Sequence, residues 1–521
     1  MFLSVSKPAT RCPPSGLPKE PIHLVTQYYV PKDDARKLEI QDTLRRNLAN
    51  DAITSVTLLN ERIYTSDELG LSEPSPKLTQ TVIARRARFA DLLSPPALDG
   101  FVVVANADIF FDATISRAAD TDHKEAKKVF ALLRYEFRSP TLSDCKLFGP
   151  RPDSQDVWIV HSTHVLPPAL FQFELGAPGC DNKIAYVFEL LGFEVVNDPL
   201  FIRSYHHHRT EERNYAPKRL DHPYHLVYPA RIPSTFSKTD LDTYNLRTGN
   251  ARLAAYIASK GDDPFVIPRI AGIENNVAVE VKTERRVMEA PIFHYLKRNA
   301  GVGFQTFEEV NRYSDAYLAA FQKCEIYASW EPWAEYTKHI QKSQHFMQTR
   351  FKKPQFAAYT FDVFQFVADG NPWTRALRGK KLLIISPFVD QIKAQPKTVY
   401  PVDLFPECTF VYLKPPMTQA AESTRGWDAE FGDFCEQVKG LEFDVALCSC
   451  GGYGNPICGF IFSLGKSAIY VGGVLQMYFG IYGHRWLVER PEVMKLYLTN
   501  EWVRPSERPK GYKEVENGCY W

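Results

Sequence analysis

Residues 101 to 112 read FVVVANADIFFD, and the fold of the chain turns on them. Phe101 to Val104 form an unbroken apolar and β-branched run, the pattern of a strand buried on both faces. Asn106, Asp108 and Asp112 follow at its carboxyl end, where open α/β sheets bind ligands. Carboxylates at alternate positions just past a strand can hold a hard divalent ion, and such an ion neutralises a diphosphate as it leaves. The stretch reads as an address for metal and diphosphate, with Asp108 as ligand and Asn106 and Asp112 as helpers. An Asx-rich turn from strand to loop accounts for the same letters, so other segments have to decide.

Working outward, strands alternate with helical patterns. HLVTQYYV (23 to 30) is a strand, followed by Asp33 and Asp34 as N-cap candidates for a helix through Asn47, with Ile40, Leu44 and Leu48 at four-residue steps. ITSVTLLN and KKVFALLRYEF (127 to 137) read as further strands. This βαβ order predicts a mostly parallel sheet with helices on both faces. From Ala216 to Ser237 four prolines and little helical period suggest a linker or wrapping arm. A second α/β pattern follows in DPFVIPRIAGIENN (263 to 276), a helical stretch around 305 to 345, GKKLLIISPFVDQIKAQ (379 to 395) and FDVALCSCGGYGNPICGFIFSLGKSAIYVGG (443 to 473). The expected organisation is a disordered leader over 1–20, one domain over 21–235 and another over 236–521.

Composition fits an enzyme of more than one domain. At 521 residues, 45% of them apolar, the chain can bury sizeable cores. Its 62 basic and 61 acidic residues leave a net charge of +1, so no global field favours nucleic acid or a membrane surface, and no nucleic-acid partner is expected. The opening MFLSVSKPATRCPPSGLPKEP has too short an apolar run for a signal segment, and nothing reaches the length of a membrane span. Ten scattered cysteines without CxxC pairs point to a reduced, cytoplasmic setting. Cys448 and Cys450 read as buried, inert thiols.

SQDVWIV (Ser154 to Val160), FELGAPGCDNKIAY (Phe173 to Tyr186) and SYHHHRTEERNY (Ser204 to Tyr215), taken with HLVTQYYV, VTLLNERIY and the NAD of Asn106 to Asp108, carry a resemblance over roughly residues 20 to 235. This half resembles GT-A-like glycosyltransferase domains of bacterial and large-virus polysaccharide systems, although the first acid of their DxD motif is an amide here. The resemblance implies a metal-dependent transferase acting on a nucleoside diphosphate sugar, with Mn²⁺ or Mg²⁺ as cofactor and a glycan as acceptor. It implies a functional acid at Asp181 and a late histidine in the metal shell within the YHHH segment. Strand alternation sends His206 and His208 to one face and His207 to the other, which favours the first two as ligands.

Asp181 keeps two readings: base for the acceptor hydroxyl, or cap of the helix that NKIAYVFELLG begins. Asp156 is the second choice for base, or a strand terminator. Arg213 is the candidate for a bidentate grip on the diphosphate, or the partner of a neighbouring glutamate.

PFVIPRIAGIE, NPWTRALRGKKLLIISPFVDQI, FDVALCSCGGYGNPICG and GKSAIYVGGVLQMYFGIYGHRW are similar to a family related to GT-D-type glycosyltransferases, over roughly 245 to 490. The acidic DxE motif of that type falls on Gly272-Ile273-Glu274, which keeps Glu274 and lacks the first acid. The turn of Gly451, Gly452 and Gly454 reads either as a tight strand-to-helix turn needing positive φ or as a cradle for the phosphates of a donor. Arg269 and Lys466 are candidate charges for that cradle. Tyr256 and Lys260 match a YxxxK spacing that, with no dinucleotide fingerprint beside it, is chance.

Together these readings predict two α/β domains, the first GT-A-like and the second GT-D-like or Rossmann-like. The expected activity is hexosyl or pentosyl transfer, with one site per domain. Two alternatives stay open: a single active first domain with a C-terminal binding or assembly module, and an enzyme that modifies nucleotide sugars.

Overall fold

The computed structural model describes residues 1–12, 20–94, 98–210, 218–283, 291–330, 341–362, 367, 370–395, 398–419 and 425–521. The chain divides into two compact units, Met1–Ser237 and Lys238–Trp521. Both are mixed α/β, with mostly parallel sheets flanked by helices.

The first unit contains β1 (Phe2–Val5), β2 (Ile22–Thr26), β3 (Ser55–Asn60), β4 (Leu78–Val82), β5 (Phe101–Ala105), β6 (Ile109–Phe111), β7 (Lys128–Leu132), β8 (Tyr135–Glu136), β9 (Lys146–Leu147), β10 (Val157–His161), β11 (Glu194–Val196), β12 (Ser204–His206) and β13 (His225–Tyr228). Seven of these form the main sheet in the order β11-β7-β10-β5-β2-β3-β4. β10 runs against both its neighbours, and the other six strands share one direction. β5 lies near the middle with all five residues buried, as its unbroken apolar run requires. Each such apolar side chain contributes roughly 1.5–3 kcal/mol by leaving water. The Asp34–Leu48 helix starts where its sequence says it should. Asp33 caps it, its carboxylate accepting from Arg36 N at 2.7 Å, and Ile40 and Leu44 enter the core.

A second, four-stranded sheet, β6-β12-β8-β9, stands at the carboxyl edge of the first. It exists because KKVFALLRYEF is two strands and not one. The Asn197 side chain accepts from Leu133 N at 2.9 Å, ending β7, and the chain re-pairs as β8 beside β12.

Two further expectations need correction here. The start of the expected leader is ordered, since β1 pairs in parallel with β13 and Phe2 and Leu3 are buried; residues 13–19 lie outside the described residues. β13 lies within the segment expected as a linker or wrapping arm, so the proline-rich stretch after the histidines is no plain linker and supplies a buried strand before the first unit ends at Ser237.

The second unit contains β14 (Val266–Ile267), β15 (Tyr327–Ser329), β16 (Gln355–Ala357), β17 (Lys381–Ile385), β18 (Thr409–Leu413), β19 (Val445–Cys448) and β20 (Ser467–Tyr470). Its five-stranded sheet, β14-β20-β19-β17-β18, is parallel throughout. The stretch around 305 to 345 is not one helix. A helix over Phe307–Lys323 is followed by β15, and a second helix covers Gln341–Arg350. Cys448 and Cys450 are buried thiols in the core of this unit.

Candidate metal and base site

The reversed strand β10 builds the site of the first unit. Because β10 opposes β5 and β7, its first residue Val157 lies beside the last residues of both, Ala105 and Leu132. Asp156, just before β10, therefore meets the segments that follow β5 and β7. Asn106 N donates to Asp156 O at 3.4 Å, and Asn106 Nδ2 donates to Asp156 Oδ1 at 2.9 Å.

Past Asn106 the chain turns, with Ile109 N donating to Asn106 O at 3.0 Å, and Asp108 is left buried at 7% exposure. β12 pairs with β6 on one side and β8 on the other, placing His206 between Ile109 and Glu136. His206 Nε2 then lies 3.2 Å from Asp108 Oδ2, and His208 Nδ1 lies 3.4 Å from the same oxygen. One ligand atom from each of Asp108, His206 and His208 fits within 4.8 Å of the others. His207 turns to Asp42, Nδ1 to Oδ2 3.3 Å. Arg36, from the first turn of its helix, donates to Asp108 Oδ2 at 2.5 Å and to Glu39 Oε2 at 2.8 Å.

The charges of this cluster are set by one another. Burial opposes the charge on Asp108, but His206, His208 and Arg36 overcome it and hold the carboxyl well below its usual range. Burial likewise opposes a charged His206, and the flanking Asp108 and Glu136 raise it to about 9. Burial pushes Glu136 up, whereas His206 and Arg134 bring it down to about 2. Arg134 forks between the two halves of the site: Nε lies 3.0 Å from Glu136 Oε1, and a terminal nitrogen lies 2.5 Å from Asp156 Oδ2.

Asp181 lies in the first turn of the Cys180–Leu190 helix, whose N-cap is Gly179 at φ +82°. It is therefore not the cap. Burial, with the nearby charge of Asp156, raises its carboxyl to about 7, against smaller pulls from the Cys180 thiol, which donates to Asp181 Oδ1 at 3.1 Å, and from Arg134. A carboxyl raised towards neutrality is what general-base chemistry needs.

Some expected participants are engaged elsewhere. Asn106 points at Asp156 and not at the metal cluster. Asp112 caps the 3₁₀ turn over Ala113–Asp120, accepting from Thr114 N at 2.9 Å, and pairs with Arg203 at 2.7 Å and Tyr205 Oη at 3.1 Å. Both are thereby removed from the ligand set. Arg213 lies outside the described residues. The sequence reading missed Arg36, Arg134 and Glu136, whose one visible signal was charge directly after an apolar strand, in RYE, and in the first turn of a helix.

In the second unit the glycine turn answers to packing. Gly451 takes φ +52°, and a side chain there would meet Ala300 O at 2.6 Å. A Cβ on Gly452 would collide with Val302, and one on Gly454 with the Tyr470 ring. The faces expected to meet a ligand are filled by protein, which corrects the cradle reading for Gly451, Gly452 and Gly454. Lys466 precedes β20 and so lies at the amino edge of the sheet, opposite the turn, where it donates to Leu441 O at 2.8 Å.

Arg269 and Glu274 do lie at the carboxyl edge, after β14. Arg269 and Asn455 exchange two hydrogen bonds, of 3.1 and 2.8 Å. Arg269 Nε is buried without a hydrogen-bond partner. Burial raises half-buried Glu274 to about 6, with Arg269 pulling the other way.

No family model and no curated protein matches the chain. Among solved structures, a mannosyltransferase from Pyrobaculum calidifontis in complex with GDP-Man and Mn²⁺ aligns at 9% identity, over 66% of this chain and 78% of that one, with TM-score 0.26. A structure of domain of unknown function 1792 aligns at 12% identity over 51% of this chain and 98% of its own, TM-score 0.29. GalNAc-T7 with UDP, GalNAc and Mn²⁺ aligns at 8% identity over 68% and 58%, TM-score 0.26. Likeness at this level fixes no chemistry, which rests on the geometry of the site itself. Among the described residues no helix is long and apolar enough to cross a membrane.

Proposed function

We propose that the first unit is a glycosyltransferase that moves a sugar from a nucleoside diphosphate sugar to a glycan hydroxyl. The observation that carries this is the convergence of Asp108, His206 and His208 at the carboxyl edge of β5, with Asp108 Oδ1 buried and lacking a hydrogen-bond partner. An orphaned carboxylate oxygen beside two imidazoles fits a divalent cation, and the nitrogen donors favour Mn²⁺ over Mg²⁺. Bound there, the ion supplies positive charge to the departing diphosphate. Asp181 takes the proton of the acceptor hydroxyl, a role its pKa near 7 suits, and Arg134 and Asn106 hold Asp156 in place beside it. Base catalysis of this kind belongs to transfer with inversion at the sugar carbon.

A thermal-shift panel of nucleoside diphosphates and nucleotide sugars, with and without Mn²⁺, tests the reading. A ligand that binds the native state raises the melting point by mass action. A shift that requires metal and diphosphate together is expected, and no shift with any nucleotide refutes the assignment.

The second unit supports a further reading, a donor site of its own. Arg269, with its buried unpartnered Nε, and Glu274 share the carboxyl edge of an all-parallel sheet, the usual place for a ligand in such folds.

A further inference from the structure

We propose that Glu136 is a positioning residue that sets the tautomer and orientation of His206 for the cation. The inference rests on the metal reading given for the first unit. Glu136 stands opposite His206 in the register of β8 and β12, and its Oε1 lies 3.4 Å from His206 Nδ1, an ion-pair distance at which the buried Nδ1 has no aligned hydrogen bond. The other ring nitrogen, Nε2, faces Asp108 at 3.2 Å. A buried Nδ1 that faces a carboxylate retains its proton, which keeps the Nε2 lone pair for a metal, and the carboxylate increases the basicity of that nitrogen; closing the 3.4 Å gap when the cation binds would complete the hydrogen bond.

Glu136 is itself held. Arg134 Nε lies 3.0 Å from the same Oε1, and Arg138 lies 3.4 Å from Oε2. Arg134 also grips Asp156 at 2.5 Å, so the residue that aims His206 is anchored to the base side of the site. His208 faces Asp108 through Nδ1, and its ring meets the His206 ring edge-on at a centroid distance of 5.3 Å. An error in the His206 ring plane would therefore disturb both imidazoles.

Glu136→Gln keeps size and hydrogen bonding and removes the charge. Titration of the full chain with Mn²⁺, reading free Mn²⁺ by its EPR signal, should show affinity about 10–100-fold weaker than wild type, with the metal-free melting temperature nearly unchanged. Asp42→Asn, which removes the partner of His207 and nothing at His206, should bind Mn²⁺ like wild type. Glu136→Asp, with the charge kept one methylene short, should fall between. Equal Mn²⁺ affinity in wild type and in whichever Glu136 variant folds overturns the positioning role while leaving the metal site standing. A wild-type chain that binds no Mn²⁺ instead removes the metal reading itself.

Discussion

Asp181→Asn separates the base assignment from a structural role without knowledge of the substrate. The carboxyl rises from 3.8 to about 7 in the fold, chiefly through burial and then through Asp156. At ~1.4 kcal/mol per pH unit this corresponds to a ceiling of roughly 4 kcal/mol. Below pH ~4 both folded and unfolded chains hold the proton, and the group has no effect on stability. As pH rises, the unfolded chain releases its proton first, so the native state binds more protons and stability falls until the folded carboxyl has also ionised, near pH 7. The asparagine variant escapes this loss. Its stability relative to wild type should widen by ~2–3 kcal/mol between pH 5 and pH 8 and then level off, measured by denaturant unfolding of the full chain at three pH values. Asp156→Asn removes the negative neighbour and frees Arg134, so it should lower the Asp181 pKa and flatten the wild-type curve. In Mn²⁺-dependent donor turnover, the wild-type rate should rise with pH through about 7, and Asp181→Asn should lose that limb and about two to four powers of ten in rate. A stability difference that does not change with pH would refute the raised pKa, and a surviving limb would refute the base.

Asp108→Ala should abolish the Mn²⁺-dependent thermal shift and donor turnover, and it should destabilise the fold by roughly 1–3 kcal/mol because buried Arg36 loses one of its two carboxylate partners and keeps Glu39; unchanged Mn²⁺ binding in calorimetry would sink the cluster. Gly454→Ala should lower stability by about 1–3 kcal/mol through overpacking against Tyr470, read from the melting curve, with nucleotide binding at the first unit unaffected. Glu274→Gln should weaken any metal-independent nucleotide-sugar binding by the full chain while leaving the Mn²⁺-dependent component intact; loss of neither component marks the second unit as a binding or assembly module.

What was legible in the sequence follows the range of the interactions involved. FVVVA reads as a doubly buried strand because burial on both faces leaves no alternation, and the Asp34–Leu48 helix is legible because Asp33 caps its own first turn. Asp108 stands out as an acid at a strand end. Arg36, Arg134 and Glu136 were not legible as a site, because each is an ordinary charge locally and acquires its role by meeting segments far along the chain. The same holds for β1, a short FLSV whose partner strand lies near residue 225, and for Gly452 and Gly454, whose constraint comes from Val302 and Tyr470. A glycine in a turn advertises backbone freedom, but here two of the three glycines have ordinary negative φ and answer to a neighbour's side chain.

The reversed β10 explains why the two halves of the site belong together. In an all-parallel sheet the residue before a strand lies at the amino edge, away from the ligand crevice. Reversal carries Asp156 to the carboxyl edge, where Asn106 binds both its backbone and its side chain. Arg134, at the end of β7, then reaches Asp156 with one arm and Glu136 with another. Asp181 is raised by Asp156 on this side, and His206 is aimed by Glu136 on the other, so a single guanidinium fixes both carboxylates. Truncating Arg134 takes the guanidinium from buried Asp156 and from half-buried Glu136 at once, an outcome costlier than the loss of one exposed ion pair. The same change moves the metal side and the base side in one step, so effects at the two ends of this network cannot be additive.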